Sequence, residues 1–329
     1  MTHDLSNYAV VKYTDSYYDQ WNEFVSVAKN ATFLFHRDFM TYHKDRFEDF
    51  SLLVFKKNKL LAVLPANRVG KTLHSHQGLT YGGVVLQSSV KFSVVLELFF
   101  HILKYLNSCK LEMLQLKQIP SIYTNYPTEE IDYLLFVLQA ELVKKDTLSV
   151  VDLARKLKIS GNRMEGVKRG RKNDLLVKEE QEFDLFWNKI LIPNLKNKHN
   201  ASPVHSLSEI TLLKSRFPNS IRQFNVYHEG KIVAGTTVFE TERVAHSQYI
   251  SGDENKNVLG SLDFLHQYLI DVIYKDTCYF DFGNSNEGNG LKINKGLQYW
   301  KEGFGARTVT QDFYKINIKN YHFINAVFI

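Results

Sequence analysis

Apolar and polar positions change period repeatedly along the chain. Tyr18, Trp21, Phe24, Val25 and Ala28 recur at helical spacing and predict a helix over 15–29. A second short helix is predicted over 33–43. The runs Ser51–Phe55 and Leu60–Asn67 flank a polar turn and read as a hairpin, with a third strand over 72–77. After the glycine-rich loop Gly78–Leu79–Thr80–Tyr81–Gly82–Gly83, the pattern predicts a helix over 90–107, a strand over 110–117, a helix over 128–139 and strands over 142–153. Further on come a strand over 175–179 and helices over 183–197 and 207–216. Ser206 and Glu209 form a capping box at the start of the latter. Strands follow over 221–227, 231–240 and 243–251, then a loop over 252–260 and a helix over 261–274. A strand over 277–282, a polar glycine-rich loop over 283–294, a helix over 297–303 and a strand over 309–316 complete the pattern.

One stretch repeats. Residues 53–63 resemble residues 225–235, with Lys59 falling on Lys231 at an offset of 172, and at that offset His74–Ser75 falls on His246–Ser247. The identity is thin, and two unrelated hairpins are the alternative. A duplicated unit predicts an α/β (α+β) fold of two tandem domains, 1–153 and 154–329, with a ligand at or near the cleft between them. Each domain is expected to be a mixed, mostly antiparallel twisted sheet flanked by helices. The length of 329 residues fits two such domains.

A hydrophobic content of 44% supports packed interiors and excludes disorder. The net charge of +6 suits anionic ligands such as nucleotides, coenzyme A, tRNA or a membrane surface. Much of that charge lies in Arg155–Lys172, with eight Lys and Arg against one Glu. This basic segment, 155–172, reads as a helix or helix pair bridging the domains. It is either a solvated face or a clamp for a nucleotide diphosphate through Arg163, Lys168 and Arg171. A tRNA surface would use the same charges; no DNA partner is expected. Cys109 and Cys278 sit in apolar contexts without metal-ligand spacing, so buried free thiols, a reducing compartment and no metal are expected. The polar N-terminus has no signal-peptide pattern, and the most apolar stretch, 94–106, is too short and too charged to span a bilayer. A soluble, cytoplasmic protein is expected.

The segment Arg243–Tyr274 carries the strongest chemical signal. A strand that breaks into a glycine-containing loop and enters a helix at Gly260–Ser261 presents free N–H groups at a positive helix terminus. This is a pyrophosphate site or an ordinary capped helix. By strand alternation, His246 and Gln248 share one face, and Ser247 and Tyr249 the other.

Several motifs resemble the GNAT superfamily of N-acyltransferases, in the tandem form typified by Fem-like aminoacyl transferases. Ala234–Gly235–Thr236 resembles that family's AGT strand. Tyr249–Ile250–Ser251 with Gly260–Ser261–Leu262 resembles the splayed strand and acyl-carrier loop. Tyr279–Ser285, ending at Phe304–Gly305–Ala306, resembles its FDFG…fGA segment. Lys196, Lys198, His199, Pro203, Val204 and His205 resemble a basic stretch of the same family.

The resemblance covers roughly 30–320 and implies transfer of an acyl group from acyl-CoA to an amine. The implied acceptor is a nucleotide-linked amino-sugar, dTDP- or UDP-linked, for surface polysaccharide. Ile250, Ser251, Gly252, Gly260, Ser261 and Asn284 would hold the donor. Asp281 and His246 are candidate bases, and Tyr249 a candidate acid for the leaving thiolate. Asp281 is alternatively a loop anchor, and His246 a structural strand histidine. Asn284, Ser285 and Asn289 would meet sugar hydroxyls or shape a turn. His76, Gln77 and Tyr81 would line the cleft or belong to a vestigial loop, and Lys198 and His205 would meet phosphate or carboxylate. The strict pyrophosphate motif Q/RxxGxG/A is absent. That leaves open a Fem-like transfer from aminoacyl-tRNA to a peptidoglycan precursor, or a binding protein without catalysis.

Overall fold

The computed structural model describes residues 7–327, apart from the side chains of Lys198 and His199. Strands β1 (Tyr8–Lys12), β2 (Glu48–Asp49), β3 (Leu52–Lys56), β4 (Lys59–Leu64), β5 (Asn67–Val69), β6 (Thr72–His74), β7 (Val85–Leu86) and β8 (Met113–Lys117) fill the first third. Helices α1 (Tyr18–Val27), α2 (Arg37–Met40), α3 (Phe92–Ser108) and α4 (Glu130–Val137) lie among them. β9 (Glu141–Asp152) precedes α5 (Gly161–Lys172), β10 (Leu176–Glu180), α6 (Asp184–Phe186), α7 (Ile192–His199) and α8 (Leu207–Arg216). Then come β11 (Ile221–His228), β12 (Lys231–Glu240), β13 (Val244–Gly252), α9 (Lys256–Leu259), α10 (Ser261–Tyr268) and β14 (Tyr279–Asn284). A ribbon of β15 (Asn286–Glu287) and β16 (Lys292–Ile293), α11 (Lys295–Glu302) and β17 (Arg307–Asn317) follow. The Ser206–Glu209 capping box opens α8 as expected. None of the helices among the described residues is long and apolar enough to cross a membrane.

The chain divides into two compact units, and they are not the contiguous halves 1–153 and 154–329. One takes Met1–Lys145 with Gln311–Ile329; the other takes Asp146–Thr310. The reason lies in β17. Its residues Phe313–Asn317 pair with β8, and Ile316, Ile318 and Ile324 are buried in the first unit's core with Leu114 and Phe99.

In the first unit, strands run in the orders β1–β3–β4–β7 and β17–β8–β6–β5–β2. In the second they run β10–β11–β12–β13–β14–β9. The second unit's core gathers Phe224, Val226, Leu265, Leu269, Phe280 and Phe282, among others.

The repeat survives at the level of backbone irregularities. The β3–β4 hairpin shifts register between Val54 and Phe55, and β11–β12 shifts between Val226 and Tyr227, at the same offset of 172. Lys57 and Glu229, also 172 apart, both take positive φ in their turns. β12 is continuous through Thr237–Val238, where its pairing with β13 bulges. At the equivalent place the first unit has Pro65, which lacks an N–H and is not in a strand, so one long strand becomes β4 and β5 in separate ladders.

Two expectations are corrected here. Cys278 is exposed and Cys109 half-buried, both as free thiols, because Cys278 lies in the turn ahead of β14. The basic segment does not bridge domains: its helix, α5, packs on α10 inside the second unit. The spacing Gly166-x-x-x-Gly170 permits this. A Cβ on Gly166 would lie 1.8 Å from Asp263 Oδ2, and one on Gly170 2.6 Å from Phe264 Cβ.

Candidate active site in the second unit

β13 and β14 are parallel neighbours for three residues only, Val244–His246 against Tyr279–Asp281. Beyond that point they part. A cavity of about 700 Å³ opens against Gln248 and Ile250 of β13 and Phe282 and Asn284 of β14. Its other walls come from α5, α9, α10 and α11. This volume is within the range of small-ligand sites.

The first unit has the same parting of parallel strands, at His74 of β6 and Gln115 of β8. There the chain fills its own gap. Ser75 N–H donates to Gln115 O (2.9 Å), Gly82 N–H to Lys117 O (2.7 Å), and Lys117 N–H to Ser75 Oγ (2.8 Å). Tyr81 is buried and donates to Thr32 Oγ1 (3.0 Å). Exposed Gln77 is tied to Asn67 through its N–H and its side-chain oxygen. His76 is buried at positive φ, and burial pushes its imidazole down to about 3. These three residues are built into the first unit's loop.

In the second unit, the expected alternation fails at one residue. Thr237 pairs with Tyr249 and Val238 with Ser247, so Gln248 is the extra residue of a bulge. Ser247, Gln248 and Ile250 therefore all line the cavity, and His246 does not. Gln248 Oε1 is buried there without a hydrogen-bond partner. Tyr249 faces the other way, packing on Trp187 and bonding His205 Nδ1 through its hydroxyl (2.6 Å). Tyr249 and His205 are thus partners in a buried contact away from the cavity. Ser251 Oγ and Gly252 O accept from Asn194 Nδ2 of α7.

His246 and Asp281 sit at the point where the strands part. Asp281 is 1% exposed, and its Oδ2 is 3.1 Å from His246 Nδ1. Asp281 Oδ1 accepts from Gly283 N–H at 2.7 Å. The carboxylate therefore anchors the loop and holds the imidazole at once. Phe280 and Phe282 alternate with it and enter the core, so the dyad occupies the opposite sheet face.

Lys301 of α11 lines the cavity and is only 2% exposed. It donates to Gly283 O (3.0 Å) and Asn284 O (2.6 Å). Burial pushes its ammonium down to about 8, against the pull of Asp281. Asp263, the one carboxylate among the cavity-lining residues, accepts at Oδ1 from both Arg163 (2.7 Å) and Trp300 Nε1 (2.8 Å). Burial raises the Asp263 carboxyl, while these two donors lower it.

The loop part of the expected pyrophosphate cradle is largely spent on the chain itself. Asp253 N–H donates to Val233 O, Lys256 N–H to Asp253 O, Leu259 N–H to Asn255 O and Gly260 N–H to Lys256 O. Gly166 O of α5 lies 2.0 Å from where a Cβ on Gly260 would be, which leaves no room beside that residue. Ser261 is fully buried, with Oγ unpartnered. Ser285 is buried likewise, and Asn284 Nδ2 donates to Asp146.

Of the basic clamp, Arg163 reaches the cavity, whereas exposed Lys168 pairs with Glu165 and exposed Arg171 does not line it. The side chain of Lys198 lies outside the described residues. Gln248, Lys256, Asp263, Arg169, Trp300 and Lys301 are cavity residues that the sequence reading did not select. Two signals for them were present. Gly166-x-x-x-Gly170 marks close helix packing, and Trp300–Lys301 directly precedes the Phe304–Gly305–Ala306 segment.

No family model matches the sequence, and no curated protein matches it. Solved structures do. A crystal structure of FemX superposes with a TM-score of 0.67 at 10% identity, covering 94% of this chain and 98% of that one. A tandem GNAT protein from the clavulanic acid biosynthesis pathway gives 0.53 at 11% identity, with the same two coverages. The C-terminal domain of a putative lysylphosphatidylglycerol synthetase from Agrobacterium fabrum gives 0.55 at 15%, covering 80% of this chain and 84% of that one. At these identities the likeness is one of fold, and the chain has a GNAT-like fold of the tandem, Fem-like kind.

Proposed function

We propose that this protein transfers an acyl group from an activated thioester or ester to an amine, at the gap between β13 and β14. The observation that carries this reading is the parting of the two strands after His246 and Asp281, with a cavity on one face and an imidazole–carboxylate dyad on the other. The donor carbonyl sits in the gap. The amine attacks from the dyad side; the C–N bond forms and the C–S or C–O bond breaks. His246, oriented by Asp281, takes the proton from the amine nitrogen. Lys301 faces the developing oxyanion, and its ammonium is itself almost fully buried. The leaving thiolate or alkoxide departs into the cavity and ends as the thiol or alcohol by taking up a proton through solvent, while His246 returns to its neutral form by releasing the proton it took.

Acyl-CoA as donor and a nucleotide-linked amino-sugar as acceptor remain the specific form of this proposal. The net charge of +6 supports phosphate-bearing substrates. A second reading, aminoacyl transfer from tRNA, is favoured by the N–H groups of Asp253, Lys256, Leu259 and Gly260, which are engaged within the chain and so not offered to a pyrophosphate.

The test is product formation followed by mass spectrometry, pairing acyl-CoA or aminoacyl-tRNA with nucleotide-linked amino-sugars and with amine-bearing peptidoglycan precursors. His246→Ala is expected to lower kcat roughly 10²- to 10⁴-fold with one of these pairs. Full activity in both His246→Ala and Asp281→Asn would remove the dyad from the mechanism. Absence of product with every pair would overturn the transferase reading.

A further inference from the structure

We infer that the carrier phosphate of the donor is bound by side chains of α5 and α9, Arg163, Arg169 and Lys256, instead of by the backbone amides of the loop that leads into α10. The inference rests on the donor occupying the second unit's cavity, as proposed above.

Five observations converge. Asp253, Lys256, Leu259 and Gly260 of the β13–α10 loop donate their N–H groups within the chain, and the Gly166 carbonyl of α5 lies against Gly260. α5 can lie there only because Gly166 and Gly170 carry no side chain. The helix that closes the backbone site also brings Arg163 and Arg169 to the cavity, and Lys256 of α9 joins them. Asp263 is the only carboxylate among the cavity-lining residues, and it is engaged by Arg163 and Trp300. Arg163 keeps a buried Nε–H without a partner, and among the described residues the Arg169 guanidinium makes no ion pair. A part-buried guanidinium at Arg163 and an exposed one at Arg169, with donors to spare, suit phosphate oxygens, which they can meet in a fork.

The ligand chemistry is a nucleotide phosphate, whether the 3′-phospho-ADP part of coenzyme A or the CCA end of an RNA. Trp300 lines the cavity, while Trp21 and Trp187 are fully buried, so Trp300 fluorescence reports occupancy. The experiment is a fluorescence titration of the full chain at low salt with coenzyme A, with an RNA hairpin ending in CCA and with inorganic pyrophosphate.

Saturable binding of either nucleotide, displaced by pyrophosphate, is expected. Arg169→Gln should weaken it at least tenfold, and Arg171→Gln, exposed on the same helix and away from the cavity, should leave it unchanged. The stronger nucleotide identifies the carrier. Equal affinity in Arg169→Gln and wild type, equal loss in Arg171→Gln, or no saturable binding by wild type would overturn the inference. Binding that depends on Arg169, in a protein that makes no acylated product, would leave this site standing and overturn the transferase proposal alone.

Discussion

Lys301 holds a proton where burial makes it costly, and that cost is measurable. With its ammonium pushed down to about 8 from 10.5, the charge is present below pH 8 and lost as the pH rises through it. A step that uses the ammonium therefore slows above pH 8. Lys301→Met should lower kcat roughly 10²- to 10³-fold at neutral pH and abolish that alkaline limb. An unchanged limb in Lys301→Met would assign it to another group. Between about pH 8 and 10.5 the unfolded chain binds a proton at this site that the folded chain does not, so Lys301 makes folding stability rise with pH there. The other residues differ in how legible they were. His246 and Asp281 stand on strands whose period the sequence displays, and they meet. Gln248 escaped because a one-residue bulge reverses the faces beyond it, and no side chain announces that bulge. Lys301 escaped because an exposed-looking helix face in sequence becomes a cavity wall only once α11 packs beside Gly283 and Asn284.

At the scale of the element, most strands and helices were readable from period alone, and α8 from its capping box. The basic helix α5 was readable as a helix but not in its location, because charge dominates its composition. Two small residues four apart decide where it goes. Gly166→Ala would put a methyl group onto Asp263 and against the helix packing that orients Arg163. We expect a loss of roughly 1–3 kcal/mol or more, measured by urea denaturation. Gly161→Ala, at the open end of the same helix with nothing within 4 Å of its Cβ, should cost far less. Equal stability of Gly166→Ala and Gly161→Ala would mean that the close approach of α5 and α10 is absent in solution.

For the whole molecule, the duplication was visible in eleven weakly similar residues, and the structure adds matched bulges and turns. The division between units was not visible, because β17 continues in sequence from the second unit and is claimed by β8 through pairing distant in the chain. Removing 311–329 should therefore damage the first unit, to which those residues belong. It strips three core isoleucines and a strand from β8. Limited proteolysis should then cut within 1–145 much faster than within 146–310. The opposite ranking would contradict the division.

The same arrangement has a consequence for biosynthesis. Domains emerging from a ribosome generally fold in the order in which they are made. Here residues 146–310 form a complete unit while the earlier-made one still lacks its final strand. The nascent N-terminal portion must wait, with β8 unpaired on one side, until translation has passed residue 317. The later-made half is the first able to reach its finished form, and a chaperone that shelters exposed strand edges would act on the earlier half during that interval.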